Sequence, residues 1–274
     1  MQAAQQVHQV EQVEVWTAMP QAFRDADWQT MGGLLDRRES HRSRQFVHEA
    51  DRRAYVVAHL LQRVALAGAL GVSPQEIAFS IQASGKPALA APAGRQIFFS
   101  LSRTRALVAC ALTRAAPIGI DVEVAGKTHC GKGAMQDVRL LEDFIAFTDE
   151  QRKVLSAASP LEEKALFCFY WTVLEAFWKA AGSGLSFTQS RIKVHQKAAV
   201  MEIFLEVQDP ATPRARVLAV QSPTSAALSV VLADADTVAT KVPPSIGYKT
   251  LNATAWLKGS PAPCSWRQSA NAPI

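Results

Sequence analysis

The sequence predicts an α+β protein of two halves, because helical and strand-like segments come in two successive groups. Apolar residues spaced for one helical face fill residues 34–70, and short β-rich segments follow from 77 to 124. A second helical stretch covers residues 137–182, and strand-like segments return from 191 to 233. We therefore expect each half to combine helices with a sheet.

The predicted boundaries follow from this order. Residues 1–117 form the N-terminal half and residues 118–240 the C-terminal half. Residues 241–274 contain several prolines and are expected to be a poorly ordered tail.

Composition excludes several classes of protein. The chain has 274 residues, of which 49% are hydrophobic and 19% charged, as in an ordinary soluble globular protein. The four cysteines lack metal-site or redox spacing, so we expect free thiols in a reducing compartment. No basic-then-apolar signal peptide and no membrane span is present, which predicts a cytoplasmic protein. The net charge of +5 favours an anionic partner without naming it.

The helical stretch of the N-terminal half carries a cluster of arginines. Gly71 is expected to end this helical stretch. Most of these arginines fit a solvated helix face. Clustered guanidinium groups also hold phosphates through forked hydrogen bonds, and both interpretations stay open. The strands predicted after this helix cover residues 77–81, 96–102, 106–112 and 118–124.

The strand at 118–124 has an apolar face and an acidic face. Side chains alternate along a strand, so Asp121 and Glu123 point to one side and Ile120 and Val122 to the other. Such a strand fits an amphipathic sheet edge. It also fits a site for a hard cation, because Mg²⁺ prefers a few carboxylates and completes its shell with waters and phosphates.

A long helix is predicted from Pro160, with Ser159 before it and Gly182 as its stop. Glu175 and Lys179 are four residues apart and share one face of this helix. A surface ion pair would explain them, and so would a place in a site, with Glu175 as a third metal ligand.

Four short motifs in order give the chain a resemblance to a known family. They are GKP at 85–87, FSLS at 99–102, GIDVE at 119–123 and WxxxEAxxKAxGxGL at 171–185. The set resembles the 4′-phosphopantetheinyl transferases of the Sfp type, over roughly residues 36–232. The resemblance implies two pseudo-symmetric α+β halves, with the active site at their interface.

The resemblance also implies the reaction of a holo-[acyl-carrier-protein] synthase. A serine of an acyl or peptidyl carrier protein attacks coenzyme A, takes the 4′-phosphopantetheine group and releases 3′,5′-ADP, with Mg²⁺ or Mn²⁺ as cofactor. Asp121, Glu123 and Glu175 would hold the metal, and Lys179 would stabilise charge on the leaving phosphate. Glu175, or a water held by the metal or by Glu123, would take the proton of the attacking hydroxyl. The implied coenzyme A contacts are Arg42, Arg53, Lys86, Ser102, Arg103 and Lys179. Two complete halves in one chain favour a monomer.

Two residues depart from the family pattern. Arg103 stands where the family usually has His, which keeps positive charge but loses titration near neutral pH. Leu174 stands where the family usually has Lys, which removes a cation near the pyrophosphate or the carrier protein.

Three other functions remain as alternatives. Arg103 and Leu174 leave open a catalytically impaired relative that still binds coenzyme A or a carrier protein. The arginine-rich helix leaves open a nucleic-acid-binding module, although it lacks interleaved aromatics and any known DNA-binding pattern. A different Mg²⁺-dependent phosphohydrolase is the third.

Overall fold

The computed structural model describes residues 12–23, 31–124, 138–182, 191–197, 200–205, 215–221, 226–233, 245–250 and 264–266. The motif residues Gly184 and Leu185 lie outside these ranges. The helices are α1 (Arg37–Ser43), α2 (Glu49–Leu70), α3 (Asp149–Ala157) and α4 (Pro160–Ala181), with 3₁₀ turns at Pro20–Ala22, Pro74–Glu76 and Val138–Asp143. The strands are β1 (Gln12–Ala18), β2 (Ala78–Ile81), β3 (Pro87–Ala91), β4 (Phe98–Arg103), β5 (Val108–Thr113), β6 (Ile118–Val124), β7 (Ile192–Lys197), β8 (Val200–Leu205), β9 (Ala215–Gln221), β10 (Ala226–Ala233), β11 (Ser245–Thr250) and β12 (Cys264–Trp266).

The described strands form one large sheet in each half. The N-terminal sheet has the order β12-β11-β1-β5-β4, and the C-terminal sheet has the order β6-β10-β9-β8-β7. A separate hairpin pairs β2 with β3. Helix α2 packs on the N-terminal sheet and α4 packs on β6 and β10. The α+β class predicted from the sequence is therefore confirmed.

Several predicted helix ends are confirmed. At the start of α4 the Glu162 carboxylate accepts from both the amide and the hydroxyl of Ser159, and Thr148 with Gln151 forms a reciprocal capping box at the start of α3. Gly71 and Gly182 end α2 and α4 in the left-handed conformation that a glycine adopts without strain. The single helical stretch expected over 34–70 is instead two helices, α1 and α2.

An apolar core joins the two sheets. The face of β6 that carries Ile118, Ile120 and Val122 packs against residues of β1 and β5 such as Val15 and Ala109. All of these side chains are at most 1% exposed. This burial fixes the two halves against each other, because apolar surface removed from water contributes about 25 cal/mol per Å².

The opposite face of β6 lies directly against α4 at Gly119. A Cβ atom at Gly119 would stand 1.8 Å from the Ala176 carbonyl oxygen and 2.6 Å from the Ala180 nitrogen. Only a glycine allows this approach of helix to strand. The small residues Ala176 and Ala180 on α4 serve the same close contact.

A buried arginine in the N-terminal half binds several surrounding segments. Its burial was not predicted from the sequence. Arg63 on α2 is 2% exposed and donates to Glu39 at 3.0 Å, to Asp36 at 3.2 Å and to the Ile77 carbonyl at 2.6 Å. Its guanidinium also lies 5.3 Å from the centre of the Phe79 ring. A buried charge needs such partners to offset its lost hydration.

The expectation of a poorly ordered tail is wrong for the described part of residues 241–274. Strand β11 pairs in parallel with β1, from Gln12 opposite Ser245 to Thr17 opposite Thr250, and β12 pairs with β11. The tail thus adds two strands to the N-terminal sheet. The pairing partner is more than 200 residues away in sequence, so no local pattern announced it.

Two further expectations can be compared with the described residues. Cys110 and Cys168 are buried and form no disulfide among the described residues, in agreement with the expected thiols. None of the described helices combines the length and the apolar character that a membrane crossing needs.

We expect Gly119→Ala to lower the free energy of unfolding by about 3 kcal/mol or more, because the new methyl group would overlap the backbone of α4. Chemical denaturation measures this. Gly68→Ala is the matched control: Gly68 lies inside α2 with nothing within 4 Å of the added carbon, so the same change should stabilise by about 0.5–1 kcal/mol. Equal effects of the two substitutions would contradict the proposed contact.

Candidate functional site

The candidate site lies where the acidic face of β6 meets α4. Asp121 and Glu123 follow Gly119 at every second position, so all three face the helix side of the strand. Asp121 is only 4% exposed, and Glu123 is half-buried. The sequence predicted this pairing of an acidic strand with α4 between the two halves.

Asp121 is held by one oxygen while the other stays unpaired. Ser102 Oγ donates to Asp121 Oδ1 at 2.7 Å, and Lys179 Nζ donates to the same oxygen at 2.5 Å. Asp121 Oδ2 is buried and has no hydrogen-bond partner within the described structure. A buried carboxylate oxygen without a partner is costly, so this atom is suited to a cation.

Two serines of β4 bind the backbone of β6. The amide of Ile120 donates to Ser100 Oγ at 3.1 Å, and the amide of Val122 donates to Ser102 Oγ at 3.3 Å. Both serines are buried, at 6% and 7% exposure. Their spacing of two residues in the FSLS motif was the signal for a shared strand face. The family resemblance implied a coenzyme A contact for Ser102, whereas its described hydrogen bonds join it to Asp121 and Val122.

Lys179 and Glu175 reach this place from α4. Lys179 Nζ donates to the Ile120 carbonyl at 3.2 Å in addition to Asp121. Glu175 is half-buried one turn earlier on the same helix face. The structure therefore brings Lys179 onto Asp121 and places Glu175 one turn away.

Burial and neighbouring carboxylates both favour the neutral form of Glu123. Burial raises the pKa of Glu123 to about 8, and the nearby Asp121 and Glu175 charges add to the rise, while Lys179 opposes it. A half-buried carboxyl beside two other carboxylates is favoured in its neutral form unless a cation joins it.

These residues fit a divalent cation in their chemistry. Within the described ranges, no three His, Cys, Asp or Glu side chains are already gathered as a closed metal cluster. Mg²⁺ does not require one, because it takes one or two carboxylates and fills its shell with water and substrate phosphates. The unpaired Asp121 oxygen and the raised pKa of Glu123 are the observations that favour a cation here.

Two of the arginines implied as coenzyme A contacts lie together. The guanidinium of Arg42 is 5.7 Å from the centre of the Phe46 ring and that of Arg103 is 5.9 Å from it. Arg103 also lies 5.4 Å from the Tyr55 ring. Both arginines are exposed, so they form a positive surface that suits phosphate groups.

Two further cationic candidates, Arg53 and Lys86, already bind protein backbone. Arg53 Nη1 donates to the Phe23 carbonyl at 2.8 Å. Lys86 Nζ donates to the carbonyls of Lys179, at 2.5 Å, and Ile118, at 3.2 Å. Desolvation lowers the pKa of Lys86 to about 8.

Leu174, which replaces the Lys expected near the pyrophosphate or the carrier protein, lies in the core instead. Its side chain is fully buried in the core of the C-terminal half, among residues such as Phe147, Phe177 and Val217. A side chain in this core contacts neither a carrier protein nor a solvated pyrophosphate. Leu174 is thus a packing residue in this chain.

We expect Ser102→Ala and Ser100→Ala to separate backbone support from support of Asp121. Each leaves one buried amide of β6 without its acceptor, so each should lose about 1–3 kcal/mol of unfolding free energy. Only Ser102→Ala also removes a donor from Asp121, and this should weaken Mn²⁺ binding about 10–100-fold. Calorimetric titration with Mn²⁺ measures the affinity. Equal metal affinities in the two variants would contradict the role given to Ser102.

The raised pKa of Glu123 predicts a pH-dependent stability in the absence of metal. The folded state keeps a proton on Glu123 up to about pH 8, whereas the unfolded chain loses it near the ordinary value of 4.5. The folded state thus binds more protons in this window, and its unfolding free energy should fall as pH rises from about 4.5 to about 8.

Glu123→Gln should remove this part of the pH dependence. Denaturation in the presence of a chelator, at several pH values, measures the difference between wild type and variant. A difference that stays constant from pH 5 to 8 would show that Glu123 has an ordinary pKa.

Comparison with known proteins identifies the family. A family model described as 4′-phosphopantetheinyl transferase, N-terminal, matches residues 16–114, and one for the 4′-phosphopantetheinyl transferase superfamily matches residues 117–231. The 4′-phosphopantetheinyl transferase of Bacillus subtilis is 30% identical over 167 residues, which cover 61% of this chain and 69% of the relative. The 4′-phosphopantetheinyl transferase HetI of Nostoc sp. is 28% identical over 179 residues, 64% of this chain and 71% of the relative. The 4′-phosphopantetheinyl transferase Sfp of Bacillus subtilis strain 168 is 26% identical over 172 residues, 62% of this chain and 70% of the relative.

Both models meet next to β6, which begins at Ile118 and carries the acidic face of the site. The resemblance predicted from four motifs is therefore confirmed, and this chain belongs to the 4′-phosphopantetheinyl transferase superfamily.

Proposed function

We propose that this protein transfers 4′-phosphopantetheine from coenzyme A to a serine of acyl or peptidyl carrier proteins and releases 3′,5′-ADP. Membership of the superfamily supports the transferase class and coenzyme A as substrate. One observation carries the proposal for this chain: the buried Asp121 Oδ2 has no hydrogen-bond partner in the described structure. Lys179 and Glu123 lie next to this carboxylate.

Asp121, Glu123 and Glu175 are the residues that would hold Mg²⁺ or Mn²⁺. When bound, such an ion polarises the phosphate that is attacked and neutralises charge on the diphosphate. Ser102 and Lys179 keep Asp121 Oδ1 occupied, so that Oδ2 remains for the ion.

Lys179 brings the positive charge that the leaving phosphate needs as its negative charge develops. Its ammonium is fixed by two acceptors of β6 and does not have to be ordered during the reaction. The candidates for the base that takes the proton from the serine hydroxyl are Glu175 and a water held by the metal or by Glu123, since both carboxylates border this place.

Arg42 and Arg103 would receive phosphate groups of coenzyme A at the positive surface around Phe46. The net charge of +5 would attract acidic carrier proteins. The monomeric state and the cytoplasmic location stay predictions from the sequence.

The alternative of a catalytically impaired relative keeps little support. Leu174, one of the two residues that suggested it, is a core residue in this chain. Arg103, the other, retains positive charge beside Arg42 and the Phe46 ring.

The direct test is to incubate the protein with coenzyme A, Mg²⁺ and an apo carrier protein, and to weigh the carrier by mass spectrometry. We expect the carrier to gain one phosphopantetheine group, and chelation of the metal to stop the gain. Asp121→Asn and Glu175→Gln should each lower the rate at least about 100-fold, because each removes a ligand that acts in the transition state.

Asp143→Asn is the matched control, since Asp143 is an exposed carboxylate of the same half, away from β6. It should keep the wild-type rate. Wild-type rates in Asp121→Asn or Glu175→Gln would remove that residue from the site, and a carrier of unchanged mass with the wild-type enzyme would contradict the proposed function.

A further inference from the structure

Lys86 connects the two halves through its ammonium group. It lies at the end of the turn between β2 and β3, where the Gly85 amide donates to the Gln82 carbonyl at 2.8 Å and Gly85 has φ 82°. From this turn Lys86 Nζ reaches the Lys179 carbonyl at 2.5 Å and the Ile118 carbonyl at 3.2 Å. Both acceptors belong to the C-terminal half.

Among the described residues, α4 offers no backbone amide to the Lys179 carbonyl, because the helix ends at Ala181. The last carbonyls of a helix have no acceptor role within the helix, and cations near this end are stabilising. At the end of α4 the Gly182 amide donates to the Trp178 carbonyl, and the Lys86 ammonium donates to the Lys179 carbonyl. Lys86 therefore caps α4 from the other half of the molecule.

Lys179 is held both by its backbone carbonyl and by its side-chain ammonium. The Lys179 carbonyl receives Lys86, while the Lys179 ammonium donates to Ile120 and Asp121. Lys86 also binds Ile118 on the strand that carries Asp121. One ammonium thus ties the backbone of Lys179 to the strand on which its side chain acts.

The geometry points to Lys86 as a positioning residue that sets where Lys179 meets Asp121, and not as a ligand of a coenzyme A phosphate. This inference rests on the proposed function, because it concerns how Lys179 is held for phosphopantetheine transfer. It replaces the role that the family resemblance implied for Lys86.

The surroundings of Lys86 support this role. A phosphate ligand would have to leave two carbonyl oxygens of β6 and α4 without their donor. The half-buried amine has a pKa lowered by desolvation, and even a neutral amine has two N–H donors for these two acceptors. By contrast, Arg42 and Arg103 are exposed and donate to no backbone group of β6 or α4 among the described bonds.

The test compares Lys86→Met with wild type, using coenzyme A, 3′-dephospho-coenzyme A and an apo carrier protein. We expect kcat to fall about tenfold or more, and the Kd of both nucleotides from calorimetry to stay within about twofold. Lys86→Gln, which keeps an N–H donor, should recover part of kcat. A rise of about tenfold or more in Kd with kcat retained at saturation would overturn the inference; if this rise is confined to coenzyme A, Lys86 binds the 3′-phosphate.

Hydrogen exchange provides a readout that does not depend on activity. In Lys86→Met the amides of residues 178–182 should exchange about tenfold faster, while those of α2 keep their rates. Lys153→Met is the matched control, because Lys153 is an exposed lysine of α3, and it should change neither exchange nor kcat. Unchanged exchange at residues 178–182 in Lys86→Met would overturn the inference.

The two proposals fail in different ways. A wild-type enzyme that leaves the carrier mass unchanged contradicts the proposed function, and the exchange rates still decide whether Lys86 holds the end of α4. If Lys86→Met does not fold, Lys86→Gln supports the same comparison of exchange, kcat and Kd.

Discussion

The free edge of β6 is the constraint on which the site depends. β6 is the terminal strand of its described sheet, so one row of its backbone groups is not paired in a backbone ladder with another strand. Buried backbone groups must find partners, and here side chains supply them. The donors and acceptors are Lys86 on the Ile118 carbonyl, Ser100 and Lys179 on the backbone of Ile120, and Ser102 on the Val122 amide. These bonds set the N-terminal half, the strand and α4 in one arrangement, and Asp121 is held within it.

The residues of the GIDVE motif on β6 have three different roles. Gly119 allows the backbone of α4 to approach, since any Cβ would overlap the Ala176 carbonyl. Ile120 and Val122 fill the core between the two sheets. Asp121 and Glu123 place the carboxyl groups of the site on the helix side. The alternation of a β-strand separates packing from chemistry here, so the same few residues hold the halves together and build the site between them.

The sequence predicted the features that depend on local patterns. Caps such as Ser159 and Gly182, and the alternating face of residues 118–124, follow from rules that act over a few residues. It missed β3, whose Ala-rich sequence has weak strand preference, and β11, which pairs with a strand at the other end of the chain. The buried Arg63 was also missed, because its burial depends on Glu39 and Asp36 from another helix. Contacts of this kind are set by tertiary packing, which a single sequence does not display.

The central claim is that Asp121, with Glu123 and Glu175, holds a divalent ion where β6 meets α4. A crystal of the enzyme soaked with coenzyme A and Mn²⁺ tests it most directly, because the anomalous signal locates the ion. We predict one Mn²⁺ with Asp121 Oδ2 and a Glu175 oxygen about 2 Å away, together with oxygens of the diphosphate. Coenzyme A bound with the ion elsewhere, or with Asp121 Oδ2 still unpaired, would contradict the account.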